Sequence, residues 1–309
     1  MSLTAFLGIT VAVQLIVLAL DLAERHATRE ERHGGERLRP ASLFFLLGVI
    51  GCFLAIQLLG FAWVPRVDAL VERVRTTVAP ELALAPAPHG WRLAALGVGL
   101  FYMEGLVDYA WHRWFSHHRL FWFTHESHHL PSEIFVGMPG LGVRPFAVLT
   151  VVPVVVLTAA LTYAALRVAA LPAWSWTIFQ IPLLASSTLL VVTHSSFMRR
   201  GWWAHRLLAP LALTSPQEHV LHHTVDLQGN YGNFTTIWDR LFGTYLDPRR
   251  AEYQGHRFGL SYDRDFLGTI TAGVLRLPAS WRRRFQVGRY CNLDDVPDAE
   301  RVDAGRRSA

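Results

Sequence analysis

The histidines of this chain are concentrated in two short stretches, and side chains of this type bind metal ions. The first stretch holds six histidines and the second holds three, so nine of the 15 histidines lie in these two places. They are His112, His117, His118, His125, His128 and His129, followed by His219, His222 and His223. Imidazole is largely neutral at pH 7, offers one lone pair in each tautomer, and is the commonest protein ligand of transition metals. The clustering therefore predicts a metal site.

The spacing within the stretches predicts how many metal ions are bound. Residues at positions i, i+3 and i+4 share one face of a helix, so each His-x-x-His-His triplet projects as a unit. Two facing triplets supply six imidazoles, His112 and a partner from its own stretch bring the number to eight, and His194 is a plausible ninth. A single zinc ion takes four protein ligands or fewer, so this set suits two metals. Iron is the preferred candidate, because nitrogen-rich sites with open positions bind Fe(II) and activate oxygen.

The elements that must position these side chains are apolar helices. The chain is 51% hydrophobic and only 17% charged, whereas soluble proteins carry about 25% charged residues. Five apolar runs approach the ~20 residues that a helix needs to cross a bilayer. They are Leu3–Leu20, Leu43–Val64, Leu93–Val107, Pro145–Leu166 and Leu171–Thr193. We expect an all-α polytopic membrane protein with about five transmembrane helices and a cytosolic helical cap that carries a histidine-rich dimetal site.

The first apolar run is expected to stay in the mature protein and to help set the orientation. No basic segment precedes it and no small-x-small cleavage site follows, as a secretory signal would require. Arginines follow it in the loop of residues 21–42, and cytoplasmic loops carry an excess of basic residues. With that loop in the cytoplasm, both histidine stretches also face the cytoplasm. All 29 basic residues are arginine, which is typical of a high-GC genome, so we expect a bacterial inner membrane.

Composition also excludes several other classes. A net charge of +5 is compatible with nucleic acid, but the apolar spans argue against such a partner. Two cysteines imply no disulfide framework. Internal repeats are absent. We divide the chain into N-terminal spans and linker (1–90), a catalytic region (91–247) and a C-terminal segment (248–309).

Local signals predict the elements that carry the histidines. Residues 91 to about 115 read as one long helix that carries His112 out of the membrane, and residues 121–129 read as a further helix. Ser215, Pro216 and Glu218 form a capping-box pattern, so a helix begins just before His219. Asn230–Asn233 is a predicted turn, Thr236–Phe242 a short helix closed by Gly243, and residues 264–287 an interfacial helix.

Four other acidic positions are candidates for roles around the metals. Asp108 lies one helical turn before His112 and could orient its imidazole. Glu104 lies one turn further back at membrane depth, where a carboxylate is costly unless it is paired or faces a cavity, so it could serve the site or a channel. Asp226 could support His223 or simply lie in a loop. Asp239 is expected to pair with Arg240. The remaining histidines, which lack such spacing, are interpreted as surface residues: His26, His33, His89, His205 and His256.

Taken together, these motifs identify a resemblance. The matching segments are Asp108–Arg113, Trp122–His129, Thr193–Ser196, Thr214–His223, Asn230–Asn233 and Trp238–Thr244. In combination they resemble the fatty acid hydroxylase/sterol desaturase superfamily of membrane di-iron oxygenases over roughly residues 95–247. The resemblance implies that the boxed histidines bind two irons, with His194 as a further ligand. It also implies an O2-dependent hydroxylation or desaturation of a lipid, of which a sterol, hopanoid, fatty acyl chain, ether lipid and carotenoid all remain open.

The first box departs from the pattern of many relatives. They place the second histidine four residues after the first, where this chain has Ser116, and His117 follows one residue later. Five residues of ideal helix turn about 500°, which puts the side chain roughly 140° off the shared face. Either a π-bulge or the end of the helix therefore lies between His112 and His117, or His118 is the ligand. The wider superfamily tolerates this longer gap, which favours His117.

The source of electrons must be external, and two rival functions stand beside the oxygenase. The chain has no GxGxxG nucleotide motif, no haem-attachment motif and no cysteine cluster, so a separate ferredoxin or reductase is implied. Five arginines could dock an acidic donor or contact anionic lipid headgroups: Arg199, Arg200, Arg206, Arg249 and Arg250. The rivals are a zinc-dependent membrane hydrolase and a non-catalytic membrane protein that binds metal or haem.

Overall fold

The structure is a computed structural model, and it describes most of the histidine-bearing region. The described residues are 3–27, 69–70, 72–73, 76–77, 90–130, 134–136, 149, 152–168, 175–224, 227–253, 264–265, 267–268, 271, 274–282 and 286–287. The expected second span, Leu43–Val64, lies outside them, as do Asp226, His33, His89 and His256.

The described part of the chain is mainly helical. In chain order its α-helices and strands are α1 (Leu3–Ala27), α2 (Trp91–Ala110), α3 (Glu126–His129), α4 (Val152–Val168), α5 (Ser175–Thr193), α6 (Ser196–Arg199), α7 (Trp203–Leu208), α8 (Pro216–His222), α9 (Ile237–Leu241), β1 (Arg264–Asp265), α10 (Ala279–Arg282) and β2 (Gln286–Val287). A π-helix, Trp111–Ser116, continues α2, and short 3₁₀ turns cover Trp122–Thr124, Arg200–Trp202, Ala209–Leu211 and Ala251–Tyr253.

Long apolar helices pack side by side and carry the histidines at their ends. α1 packs along α5, and α2 packs against both α4 and α5. Val17 and Leu18 of α1 meet Val191 of α5 and Val136 in a small apolar core. His112 follows directly on α2 and His194 follows directly on α5. The packing of α2 against α5 therefore brings together the ends of two helices whose histidines are 82 residues apart in sequence.

One helix in the described residues is long and apolar enough to cross a bilayer. It runs from Trp91 to Ser116 with a mean hydropathy of 1.3. The expected first span lies within α1, and the expected fourth and fifth spans overlap α4 and α5. The number of five spans stays a prediction.

Two of the expected helices are wrong. Residues 264–287 do not form one interfacial helix: β1 pairs antiparallel with β2, and the described helical residues there are Leu267, Gly268 and Ala279–Arg282. Pro278 is incompatible with a helix interior, and the Asp265 carboxylate accepts the backbone N–H groups of Gly268 (2.7 Å) and Leu277 (2.9 Å). Residues 121–129 also form no single helix, because His125 (φ −118°) separates a 3₁₀ turn from α3.

The signals around α8 and α9 are confirmed. Ser215 Oγ accepts the Glu218 N–H at 3.3 Å, and the Glu218 carboxylate accepts the Ser215 N–H at 2.8 Å, so the capping box is complete. α8 begins at Pro216. α9 ends before Gly243, whose φ of 71° suits glycine.

Candidate metal centre

Eight histidines form two groups of four, and the described residues contain no further group of this kind. In each group the ligand nitrogens all lie within 4.8 Å of one another. We call His112, His117, His125 and His222 the first histidine group, and His128, His194, His219 and His223 the second histidine group. All eight are buried except His117, which is half-buried.

Each His-x-x-His-His triplet is divided between the groups, although we expected it to act as a unit. His219 on α8 and His223 immediately after it enter the second group, and His222 at the end of α8 enters the first. Adjacent residues of a helix differ by about 100° in direction, so one helix can serve two neighbouring sites. His125 and His128 are separated in the same way. His129 lies between the groups, with Nε2 3.1 Å from His125 Nε2 and its ring centroid 4.6 Å from that of His223.

The π-helix resolves the five-residue step of the first box. The His117 N–H donates to the His112 carbonyl at 3.1 Å, a bond that spans five residues. The widened turn returns His117 to the face of His112, and His117 Nε2 lies 3.3 Å from His222 Nε2. His118 is exposed, and its Nδ1 accepts the Leu120 N–H. His117 therefore joins the first group and His118 does not.

Backbone carbonyl groups orient the imidazoles of the first group. His112 Nδ1 lies 2.5 Å from the Tyr231 carbonyl oxygen, and His222 Nδ1 lies 3.1 Å from that of Gly229. A carbonyl oxygen can only accept, so in each ring Nδ1 carries the proton and Nε2 keeps its lone pair. His112 Nε2 is 3.0 Å from His125 Nε2. The Nε2 lone pair of His112 therefore points at the His125 ring.

The second group is assembled in the same way from more distant elements. His194 Nδ1 donates to the Leu190 carbonyl at 2.7 Å, which directs Nε2 inward. His219 Nε2 lies 2.9 Å from His194 Nε2, and His128 Nε2 lies 3.4 Å from it. His223 Nε2 is 3.1 Å from His219 Nε2.

This arrangement fits metal ions. Carbonyl groups fix the proton on the far nitrogen of His112, His194 and His222, so the Nε2 lone pairs of these three rings point at neighbouring imidazole nitrogens about 3 Å away and are available to a cation. Burial and the neighbouring imidazoles hold the pKa of His223 well below its usual range, so this ring is neutral. Imidazole suits iron, copper, zinc and nickel. The four histidines of each group are the residues that would hold one ion.

A loop formed by residues 229–233 supports the first group. The Asp239 carboxylate accepts the N–H groups of Tyr231 (2.8 Å) and Gly232 (2.9 Å) and the hydroxyl of Thr244 (2.8 Å). Burial raises the pKa of Asp239 to about 6. The expected pair of Asp239 and Arg240 is wrong: the Arg240 Nε donates to Thr236 Oγ1 at 3.2 Å, and its guanidinium lies 3.8 Å from Glu218.

The other predicted acidic residues act at a distance from the imidazoles. Asp108 accepts the side-chain amide (2.8 Å) and the backbone N–H (3.1 Å) of Asn233, so it holds the loop that bears the Tyr231 carbonyl. Glu104 is buried and accepts the Ser186 hydroxyl at 2.8 Å, which ties α2 to α5.

His205 is not a surface residue, and this prediction is wrong. Only 4% of it is exposed, and its Nδ1 lies 3.0 Å from Ser215 Oγ at the start of α8. Desolvation lowers its pKa despite the opposing charge of Glu218. Its position twelve or more residues from either triplet offered no periodic signal. His26 is exposed, as expected.

Two residues support the centre in ways that the sequence did not predict: Asn230, in the predicted turn, and Asp21 of α1. Asn230 donates to the carbonyls of Glu218 (2.9 Å) and Leu246 (3.0 Å) and adopts a φ of 51°, so it fixes the start of the 229–233 loop. Asp21 of α1 is fully buried and accepts the Ser195 hydroxyl next to His194. The available signal was a carboxylate at the end of an apolar run.

Comparison with known proteins places the centre in a family. Residues 97–244 match the family model described as fatty acid hydroxylase, and all eight histidines of the two groups, with His129, lie in that segment. No solved structure gives a significant match. Residues 97–244, a little under half of the chain, thus match the fatty acid hydroxylase family, in agreement with the resemblance to the fatty acid hydroxylase/sterol desaturase superfamily.

Proposed function

We propose that this protein is a membrane-bound di-iron oxygenase that uses O2 and external electrons to hydroxylate, or to desaturate, an unactivated C–H position of a lipid such as a sterol or a fatty acyl chain. The observation that carries the proposal is the pair of adjacent four-imidazole groups inside the fatty acid hydroxylase segment. Its place would be in lipid biosynthesis.

The composition of the ligand set favours iron over zinc. Each group contains imidazoles alone, whereas a hydrolytic zinc site binds three protein ligands and needs a base beside its water. When bound, a pair of iron ions supplies the oxygen chemistry that attacks an unactivated C–H bond. The chain's own contribution is to keep its imidazoles neutral, to direct Nε2 lone pairs inward through carbonyl groups, and to exclude water by burial.

The position of the groups suits a substrate that arrives from the bilayer. His112 and His194 follow the ends of two apolar helices, α2 and α5. With these helices in the membrane, the two groups lie at its surface, and an apolar chain reaches them without crossing water. From the arginines that follow α1 we place this surface on the cytoplasmic side of a bacterial inner membrane.

Electrons would come from a ferredoxin or reductase with an acidic surface. A cavity of about 700 Å³ opens beside α8 and is lined by Arg206, Arg240 and Arg249 with Trp202, His205 and Tyr245. Its floor meets the histidine-bearing helix, because Tyr245 donates to the Glu218 carboxylate at 2.7 Å and Glu218 precedes His219. Charge complementarity of this kind steers association. We propose this basic face as the docking site of the donor.

The decisive experiment compares lipids and metals. Mass spectrometry of lipids from cells with and without the gene should show a species that gains one oxygen atom or loses two hydrogen atoms. Metal analysis of the purified protein should give two irons per chain. One zinc per chain with a hydrolysed lipid would support the hydrolase instead, and redox-dependent haem absorbance bands would support a haem carrier.

A further inference from the structure

The buried carboxylate of Asp21 lies outside the family-matched segment. It binds two stretches of chain that follow histidines of the second group. Asp21 lies near the C-terminal end of α1 and is 0% exposed. It accepts the hydroxyl of Ser195 at 2.5 Å and three backbone N–H groups. Those groups belong to Val136 (2.8 Å), Phe197 (3.1 Å) and Ser196 (3.3 Å). Both carboxylate oxygens are therefore used.

The groups that donate to Asp21 lie shortly after two histidines of the second group, His194 and His128. Ser195–Phe197 follow His194 directly, and Val136 lies eight residues after His128. The Asp21 side chain thus joins two segments that follow histidines from different parts of the sequence. Val136 lies 115 residues from Asp21, and Ser195–Phe197 lie 174 to 176 residues from it. By contrast, the first group depends on the 229–233 loop, which Asp108 and Asp239 hold.

The backbone at His194 needs this support. α5 ends at Thr193, and the chain changes direction through His194 and Ser195 before α6 begins. The N–H groups of Ser196 and Phe197 open α6 and have no acceptor within their own helix. Asp21 accepts both, and a negative charge is favourable at this end of a helix. Ser195 Oγ, in turn, accepts the Met198 N–H at 3.1 Å.

We infer that Asp21 is a positioning residue for the second histidine group: it fixes the turn that directs His194 at its partner imidazoles. This inference rests on the proposed metal centre but concerns only how one of its two sites is built. An asparagine at position 21 keeps the size of the side chain, but its amide nitrogen is a donor and faces N–H groups. The turn then loses part of its anchor while α1 and the rest of the core remain.

The test measures binding of Co(II) to the full chain in detergent, after removal of bound metal. The parent protein should bind two ions. Asp21→Asn should bind one with unchanged affinity and the other with affinity lowered about 10- to 100-fold, as for loss of a group that orients a ligand. Glu24→Gln is the matched control: Glu24 lies one turn further along α1 and contacts the Ser196 hydroxyl (3.0 Å) and the Arg200 side chain (3.4 Å). It should bind both ions tightly.

A second variant keeps the inference testable if Asp21→Asn fails to fold. Ser195→Ala removes the shortest of the four contacts and should weaken the same ion by a smaller factor. Two tightly bound ions in both Asp21→Asn and Ser195→Ala, or an equal loss in Glu24→Gln, would overturn the inference. The proposed function fails separately, if the parent protein binds two ions but oxidises no lipid.

Discussion

The two histidine groups are chemically alike but are built in different ways. In the first group, three of the four ligands come from residues 112–125, and a π-helix brings two of them to one face. In the second group, the ligands come from α3, the end of α5 and α8, and span residues 128 to 223. The first is thus assembled largely by local geometry, and the second by the packing of α1, α5 and α8. Metal binding by the second group should therefore depend on elements far from its histidines.

The largest effect is expected from removal of one ligand in each group. His222→Ala should remove the ion of the first group and His128→Ala that of the second, because each imidazole contributes one of four ligands. Product formation should fall more than about 100-fold in both, beyond the loss typical of an outer-shell partner. Lipid mass spectrometry and metal analysis would measure this. Retained activity in either variant would contradict the assignment of that residue.

The neighbouring pair His117 and His118 tests the local geometry of the first group. His117→Ala should lower the metal content of the first group and the turnover strongly, since Nε2 of His117 lies 3.3 Å from that of His222. His118→Ala serves as the control and should remain near the parent, because the side chain is exposed. A strong loss in His118→Ala with little change in His117→Ala would show that the π-helix does not determine which histidine joins the first group.

Gly232→Ala should disturb the first group without touching a ligand. A Cβ at this position would lie 2.0 Å from the Thr235 carbonyl oxygen, so the loop must shift and move the Tyr231 carbonyl from His112. We expect metal affinity of the first group to fall about 10- to 100-fold, with the second group unchanged. Gly97→Ala, whose Cβ would meet nothing within 4 Å, is the matched control. Cobalt titration of both variants measures the difference.

Asp239→Asn should change how stability depends on pH. The pKa of Asp239 is raised from 3.8 to about 6, so the folded protein holds this proton more tightly than the unfolded chain. This proton contributes about 3 kcal/mol to the free energy of unfolding. The contribution is complete below pH 3.8 and is lost as the pH rises to about 6. The variant should lack this slope.

Thermal midpoints of the parent and Asp239→Asn, measured in detergent across that pH window, give the comparison. Asp247→Asn is a useful control, because hydrogen bonds from Arg249 hold the pKa of Asp247 at about 2, outside the window. Parallel pH curves for the parent and Asp239→Asn would contradict the assignment.

The smallest effect is expected for Tyr245→Phe. It removes the hydroxyl that donates to Glu218 at 2.7 Å, while the capping box and the Arg240 contact remain. The free energy of unfolding should fall by about 1–2 kcal/mol. Because α8 carries histidines of both groups, metal binding by the two groups should be affected equally. A loss confined to one group would show that α8 is not a common support.

Much of the local structure around the centre could be predicted. The capping box of α8 and the end of α9 at Gly243 follow from residues close together in sequence, where steric and hydrogen-bonding rules act directly. For the step after His112 the sequence left a π-bulge, a helix end and His118 open, and the structure has the π-helix. The interfacial helix at 264–287 failed because Asp265 binds backbone groups three and twelve residues away, a pattern that periodicity does not reveal.

By itself, the sequence determined which side chains could bind metals, how they are spaced and which apolar helices carry them, because these depend on residue type and helical period. Only the tertiary structure decided that each triplet is divided between two groups and that His205 is buried. It alone also placed Asp21 beside His194 and the Tyr231 carbonyl beside His112. Those contacts join residues more than a hundred positions apart, and they form only when long helices pack and exclude water, so that every buried polar group must find its partner.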